Sequence, residues 1–206
     1  MSVKLPVPEI ILASTSPRRT LLLERIGLAH IIIAPDAEEL VPPHGDCKAI
    51  ALHNARIKAE SVIHYHSGSG VMGVDTIVDL DGEPLGKPVG IQDAIAKLTK
   101  LSGRDHFVHT AVYFGDSLNN LHYELVETSV VKFRRLGRAE IESYVATGEP
   151  LDKAGAYGIQ ERGAMLVERI EGCFFNVMGL PVARVWEMIL CWMDDRGTPL
   201  VGWRGE

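Results

Sequence analysis

The sequence predicts an α/β fold in which helices flank a mixed β-sheet. Short apolar runs, each followed by an amphipathic segment, indicate β–α units, and such units place their strands in parallel. Two long strand-like segments around Asn119-Asn120 add an antiparallel pair. A chain of 206 residues is compatible with one large domain or with two small lobes that share a cleft.

The first half of the chain opens with a strand, a tight turn and a helix. Ser16 suits the N-cap of that helix, Pro17 its first turn and Gly27 its end. Further strands and helices are expected where apolar residues alternate or recur every three to four positions. The predicted elements are strand 9–13, helix 17–26, strand 30–34, helix 46–66 and strand 71–80.

The rest of the chain begins with Asp81-Gly82, a strong hairpin-turn signal. Gly103 closes an amphipathic helix, and the Gly/Ala-rich segment 150–160 is expected to be irregular. Residues from Thr198 onward are predicted to form a loose tail. The remaining predicted elements are helix 91–101, strands 107–114 and 121–133, helix 138–146, strand 164–170 and helix 181–193.

Composition excludes several classes of function. A net charge of -6 argues against wrapping a nucleic-acid polymer, although a few converging cations can still bind one small anion. Three cysteines without a C-x-x-C pair indicate a reducing compartment. No apolar stretch approaches the length of a membrane span. We therefore expect a cytoplasmic protein with neither a membrane nor a nucleic-acid polymer among its partners.

The first segment with residues suited to ligand binding is the turn from Ala13 to Arg19. A strand-to-helix turn presents free backbone N–H groups and the positive end of a helix dipole, and small hydroxyl residues let a phosphate approach. Arg18 and Arg19 lie at the helix end that disfavours cations, which a bound polyanion would explain. The alternative is a capped helix with two solvated arginines.

Three further residues carry charge at unusual places. Asp75 interrupts an apolar strand, so it either activates a water molecule or bonds backbone N–H groups at a strand end. Lys87, between Gly86 and Pro88, suits a phosphate contact but also an ordinary surface position. Lys58 lies near the half-buried side of a helix, where a lysine can simply extend its ammonium to solvent.

The segment 152–160 contains two glycines and two alanines, which imply close approach by a ligand or another strand. Gln160 at its end offers both a donor and an acceptor, as a pyrimidine edge requires. Tyr157 is expected to pack or to stack. A tightly packed turn is the alternative reading.

Taken together, these segments resemble the Maf family. The matching motifs stand in the family's order at 13–19, 73–78, 82–88, 149–160 and 177–181. The resemblance implies that the chain is a nucleoside triphosphate pyrophosphatase that uses Mg or Mn. Members of the family often dimerise, and their fold, related to the inosine triphosphatase group, has two lobes around a central cleft. The resemblance also implies a single domain over 1–206 with a core of about 9–193.

The resemblance assigns roles to individual positions. Asp75 falls at the proton acceptor, and Glu39 on a loop acid associated with catalysis or metal, so these two acids are the expected metal ligands. Lys58 and Lys87 join them as catalytic residues. The expected substrate-binding residues are Ser14, Ser16 and Arg19.

Substrate choice follows from three positions. The branch that acts on dTTP and UTP has Arg, Thr and Gln where this chain has Arg18, Thr76 and Gln160. The rivals are the same chemistry on 7-methyl-GTP, and a non-catalytic nucleotide-binding regulator linked to septum formation. Val74 departs from the usual Ala and is expected to narrow the pocket, while Glu161-Arg162 departs from a common Gly.

Overall fold

A computed structural model describes residues 7–40, 44–198 and 200. The strands are β1 Ile10–Ala13, β2 His30–Ile32, β3 Val71–Leu80, β4 Glu83–Leu85, β5 Asp105–Asp116, β6 Leu121–Phe133 and β7 Val167–Glu171. The helices are α1 Pro17–Arg25, α2 Cys47–Ile63, α3 Ile91–Leu101, α4 Arg138–Val145, α5 Phe174–Met178 and α6 Val182–Asp195. Short 3-10 turns cover Glu149–Asp152, Ala154–Ala156 and Arg162–Leu166.

The strands form one sheet of mixed orientation, as predicted. Its order is β2-β1-β3-β5-β6-β7, and β4 pairs with β3 outside this path. β1 runs parallel to β2 and β3. The neighbouring pairs β3/β5, β5/β6 and β6/β7 are each antiparallel. The β–α units therefore build one edge of the sheet, and the long hairpin of β5 and β6 builds the rest.

The turn residues that end β3 and α3 explain why the bounds of these two elements could be predicted without error. β3 and α3 have the predicted bounds. Asp81 and Gly82 both have positive φ angles, 56° and 81°, and thus form the tight hairpin turn between β3 and β4. Gly103 ends α3 with a φ of 71°. The predicted tail lies outside the described residues except for Thr198 and Leu200.

In the C-terminal third one prediction was wrong and one helix was missed. The strand expected at 164–170 begins only at Val167, because Arg162–Leu166 is a 3-10 turn in which Gly163 lies against the Gly158 backbone. The five-residue helix α5 was not predicted, since one turn is too short for a periodic signal. Its cap is unusual, because the Cys173 sulfur accepts the Asn176 N–H at 3.4 Å.

One side of β3 is open in its middle. β1 pairs with β3 only through Val71 to Gly73, and β4 pairs with it only from Val78 to Leu80. In the described chain, residues 74–77 therefore have a strand neighbour on the β5 side alone. This opening lies at Asp75 and Thr76.

Buried apolar side chains form two large clusters. The first joins β1, α1 and α6 through residues such as Leu12, Leu22 and Trp192. The second joins β4, α3 and α4 through residues such as Leu85 and Leu98. Since β1 belongs to one cluster and β4 to the other, the opening in β3 lies between two lobes, as predicted.

Helix α2 lies unusually close to β3. A Cβ atom on Gly73 would be 2.0 Å from the Ala55 carbonyl oxygen and 2.7 Å from the Ala59 nitrogen. Both alanines are fully buried, so the helix backbone rests directly on the strand. Within residues 7–40, 44–198 and 200, no helix has the length and hydropathy needed to span a lipid bilayer.

Gly73→Ala should destabilise the protein by about 3 kcal/mol, because the new methyl group meets helix backbone that cannot rotate away. Urea unfolding measures this change. Gly137→Ala is the control, since a Cβ there meets nothing within 4 Å, and its cost should stay below about 1 kcal/mol. Equal free energies of unfolding for the two variants would contradict the close approach of α2.

Candidate active site

A cleft with a volume of about 560 Å³ opens beside the middle of β3. It is lined by residues of the turn after β1, of α1, α2 and β3, and of the irregular segment after α4. All ten side chains that were predicted to form the site line this one cleft: Ser14, Ser16, Arg18, Arg19, Glu39, Lys58, Asp75, Thr76, Lys87 and Gln160.

The turn before α1 leaves a hydroxyl available. Ser16 is the N-cap and Pro17 the first helical residue, as predicted, but the Ser16 side chain makes no capping bond. The Ser16 N–H instead donates to Ser14 Oγ at 3.3 Å. The helix N-terminus therefore faces the cleft with its capping hydroxyl unused among the described residues.

Arg19 turns back from the helix and is buried against neutral acceptors. Its guanidinium donates to Gly179 O at 3.0 Å, Ser14 Oγ at 2.9 Å and Thr76 Oγ1 at 3.1 Å. Burial lowers its pKa to about 10, opposed by the charge of Asp75, so it stays cationic at neutral pH. Among the described residues it has no carboxylate in an ion pair, and the alternative of a solvated arginine is wrong at this position.

Lys58 binds both acids of the predicted site. Its Nζ lies 2.6 Å from Asp75 Oδ1 and 2.9 Å from Glu39 Oε1, with the Val74 carbonyl oxygen at 3.5 Å. Lys58 and Asp75 are 6% and 7% exposed. The lysine thus does not extend to solvent, and the aspartate bonds side chains rather than strand-end N–H groups, so both simpler alternatives are wrong.

Asn54 was missed in the sequence. Its Nδ2 donates to Asp75 Oδ2 at 3.2 Å and to Leu40 O at 3.0 Å, and its Oδ1 accepts the Leu40 N–H at 2.8 Å. It lies one helical turn before Lys58 on the same face of α2. An asparagine inside a helix, four residues before a half-buried lysine, was the available signal.

The opposite wall contains an ion-pair chain that was also missed. Arg18 Nη1 lies 3.3 Å from Asp152 Oδ2, and Lys153 Nζ lies 2.8 Å from Asp152 Oδ1. Lys153 is buried and donates to Glu149 O at 2.7 Å. These contacts connect α1 to the segment that carries Gln160.

The Gly/Ala-rich segment approaches a strand closely, as one of its two readings predicted. A Cβ on Gly155 would lie 2.9 Å from a Val78 methyl group. Tyr157 packs inside, with its hydroxyl 2.8 Å from His106 Nε2. Gln160 is half-buried, and its Oε1 has no hydrogen-bond partner among the described residues. Gln160 thus lines the cleft with a buried carbonyl oxygen whose hydrogen-bonding capacity is unused among the described residues.

Lys87 is exposed on the rim of the cleft and forms no ion pair or hydrogen bond within the described part of the chain. Together with it, the lining has five basic residues against three acidic ones, although the whole chain has a charge of -6. The local excess of positive charge favours a small polyanion.

A profile of the family described as Maf-like protein matches residues 9–191. The chain belongs to this family. A dTTP/UTP pyrophosphatase of Thermus thermophilus is 46% identical over 185 residues, which cover 88% of this chain and 94% of that protein. A dTTP/UTP pyrophosphatase of Dictyoglomus thermophilum is 43% identical over 180 residues, covering 86% and 92%.

The solved structure of the Staphylococcus aureus Ham1 protein matches 61% of this chain and 72% of its own, with 18% identity and a TM-score of 0.41. The relation of this Maf-like chain to the inosine triphosphatase group stays a prediction.

The prediction that Val74, in the motif at 73–78, narrows the pocket was wrong. Val74 packs in the first apolar cluster and does not line the cleft, so its larger side chain does not narrow the pocket.

The environment of Arg19 predicts that inorganic tripolyphosphate stabilises the protein. At about 100-fold excess over Kd, the unfolding midpoint should rise by about 5–10 °C without added metal. Arg19→Met should lose at least half of this rise, because it removes a desolvated cation. Arg25→Met changes an exposed arginine of the same helix and should keep the full rise. Equal shifts in the two variants would exclude Arg19 as an anion ligand.

Proposed function

We propose that this Maf-like protein is a nucleoside triphosphate pyrophosphatase that hydrolyses dTTP and UTP to the monophosphate and pyrophosphate. The observation that carries the proposal is the buried Asp75 carboxylate, held from two sides at the opening of β3 in a cleft lined by more basic than acidic residues. Relatives that cover most of the chain and bear the name dTTP/UTP pyrophosphatase support the choice of substrate.

The triphosphate is proposed to lie against Arg19, Lys87 and the N-terminus of α1. Arg19 is fixed by neutral acceptors, so its charge is available to phosphate oxygens. Lys87 can approach from the rim, and the Ser14 and Ser16 hydroxyls line the same wall. Preorganised cations and N–H groups stabilise the charge that develops on the leaving pyrophosphate.

Asp75 is proposed to accept the proton of the attacking water. Lys58 holds one carboxylate oxygen and Asn54 the other, while each oxygen keeps a lone pair for water. The water oxygen bonds to the α-phosphorus, its proton passes to Asp75, and the bond from the α-phosphorus to the bridging oxygen breaks. The electron pair of that bond leaves with pyrophosphate.

The expected Mg or Mn fits the two acids that meet at Lys58. Mg²⁺ prefers oxygen ligands and is held by one or two carboxylates together with substrate phosphates and water, which matches Glu39 and Asp75. No group of three or more His, Cys, Asp or Glu that could hold a metal occurs in the described ranges, so substrate phosphates and water would supply the remaining ligands. A bound divalent cation would neutralise charge on the phosphoryl oxygens.

Gln160 is proposed to read the base. Its amide offers a donor and an acceptor for a pyrimidine edge, and its Oε1 lacks a partner in the described structure. Arg18 and Thr76 already bond Asp152 and Arg19. They can therefore act on the choice of base mainly by shaping the wall beside it.

The test is a panel of canonical and modified nucleoside triphosphates, including 7-methyl-GTP, assayed with Mg and with Mn for monophosphate and pyrophosphate. We expect dTTP and UTP to react fastest, and in ¹⁸O-labelled water the label to enter the monophosphate. Asp75→Asn should lose at least about 100-fold in turnover with an unchanged circular dichroism spectrum. Preference for 7-methyl-GTP, or triphosphate binding without turnover, would establish one of the two rivals.

Gln160→Ala should weaken discrimination among bases more than it slows the reaction, because the amide touches the base and not the phosphates. The measurement is kcat/KM for dTTP, UTP, CTP and GTP in the variant and the parent. The spread among the four nucleotides should shrink by about 10-fold or more, as expected from losing a base-edge hydrogen bond. An unchanged spread would remove Gln160 from base selection.

A further inference from the structure

The side chain of Asn54 connects two parts of the cleft that no element of secondary structure joins. Asn54 is 2% exposed and projects from α2. Its amide bonds both the N–H and the C=O of Leu40, and the same Nδ2 reaches Asp75 Oδ2. One side chain thus fixes a loop backbone and a strand carboxylate simultaneously.

Residues 33–40, the described part of the loop that Asn54 holds, have few other attachments to the rest of the described structure. Residues 33–40 form no helix or strand, and the Leu40 side chain is 49% exposed, so apolar packing contributes little there. The paired bonds to Leu40 fix the peptide groups on both sides of this residue. Because Glu39 directly precedes Leu40, these bonds also fix where the Glu39 side chain starts.

The Lys58 ammonium attracts Glu39, but two effects weaken its hold on this side chain. The two carboxylates lie 2.9 Å and 2.6 Å from the same ammonium nitrogen, and like charges this close repel one another. Glu39 is also half-exposed, with 43% of its side chain accessible, so water competes for it. The neutral Asn54 amide bonds Asp75 and also the loop that carries Glu39. It therefore helps to keep the Glu39 side chain close to Asp75.

We propose that Asn54 is a positioning residue that couples the Glu39 loop to the Asp75 carboxylate and keeps both acids in reacting geometry. The proposal rests on the proposed function for its kinetic consequence. Its structural part concerns the hydrogen bonds between Asn54 and Leu40. This part applies to the nucleotide-free protein and is tested separately.

Asn54→Leu keeps the approximate size of the side chain and removes all its hydrogen bonds. We expect kcat to fall about 10- to 100-fold, as for other residues that orient a metal ligand or a catalytic group. KM should change less than about threefold, because the phosphate contacts of Arg19 and Lys87 are untouched. Asn54→Gln, which keeps the amide on a longer side chain, should recover part of kcat.

A double-mutant cycle separates coupling from general damage. If Asn54 acts by placing Glu39, then Asn54→Leu should cost much less in kcat when Glu39 is already Gln. Ser61→Ala is the matched control, since it also removes one bond on α2, from Ser61 Oγ to Lys58 O, and its effect should add to that of Glu39→Gln. Additive effects for Asn54→Leu would overturn the proposal.

Amide hydrogen exchange without nucleotide or metal gives the second readout. The Leu40 N–H should be protected in the parent protein and exchange at least about 10-fold faster in Asn54→Leu, while Ser61→Ala leaves it unchanged. An unprotected Leu40 N–H in the parent overturns the proposal even if Asn54→Leu fails to fold. If the parent hydrolyses no nucleotide but Leu40 is protected, the proposed function fails and the structural part of the proposal stands.

Discussion

The contact between the Lys58 ammonium and the Asp75 carboxylate determines how the cleft is built. A buried lysine or aspartate without a partner is costly, so α2 and β3 must meet with both side chains in register. Gly73 makes this possible, because any Cβ there would collide with the α2 backbone. The same ammonium then draws in Glu39, which brings an otherwise loosely attached loop to the site.

The opening in β3 explains why neighbouring residues with opposite orientations serve one cleft. Asp75 points to the α2 side and bonds Lys58 and Asn54, whereas Thr76 points to the other side and bonds Arg19. Side chains alternate across a strand, and a fully paired strand would separate these two faces. Because the pairing of β1 with β3 ends at Gly73 and the pairing of β4 with β3 begins at Val78, both faces are accessible from the gap between the lobes.

Much of the fold could be predicted from short-range signals in the sequence. The site could be predicted because several motifs occur in the same order as in the Maf family. The bounds of β3 and α3 and the Asp81-Gly82 turn follow from chemistry within a few residues. Contacts between distant residues could not be read in this way. The sequence pattern around Lys58 fits an ammonium that reaches solvent as well as one buried between two acids, and only the position of β3 decides. Asn54 gave no motif for the same reason, since its partners lie on a loop and on another strand.

The cations of the cleft consequently differ in what they can do. All three N–H donors of Lys58 have acceptors, two of them carboxylates, so its charge is matched before a ligand arrives. Arg19 uses three of its five N–H donors, all of them on neutral oxygens, and its charge is matched by no ion pair among the described residues. A polyanion gains most from a cation whose charge is still uncompensated. Arg19, with Lys87 on the rim, therefore suits the triphosphate, whereas Lys58 suits the task of holding Glu39 and Asp75 together where water is to be activated.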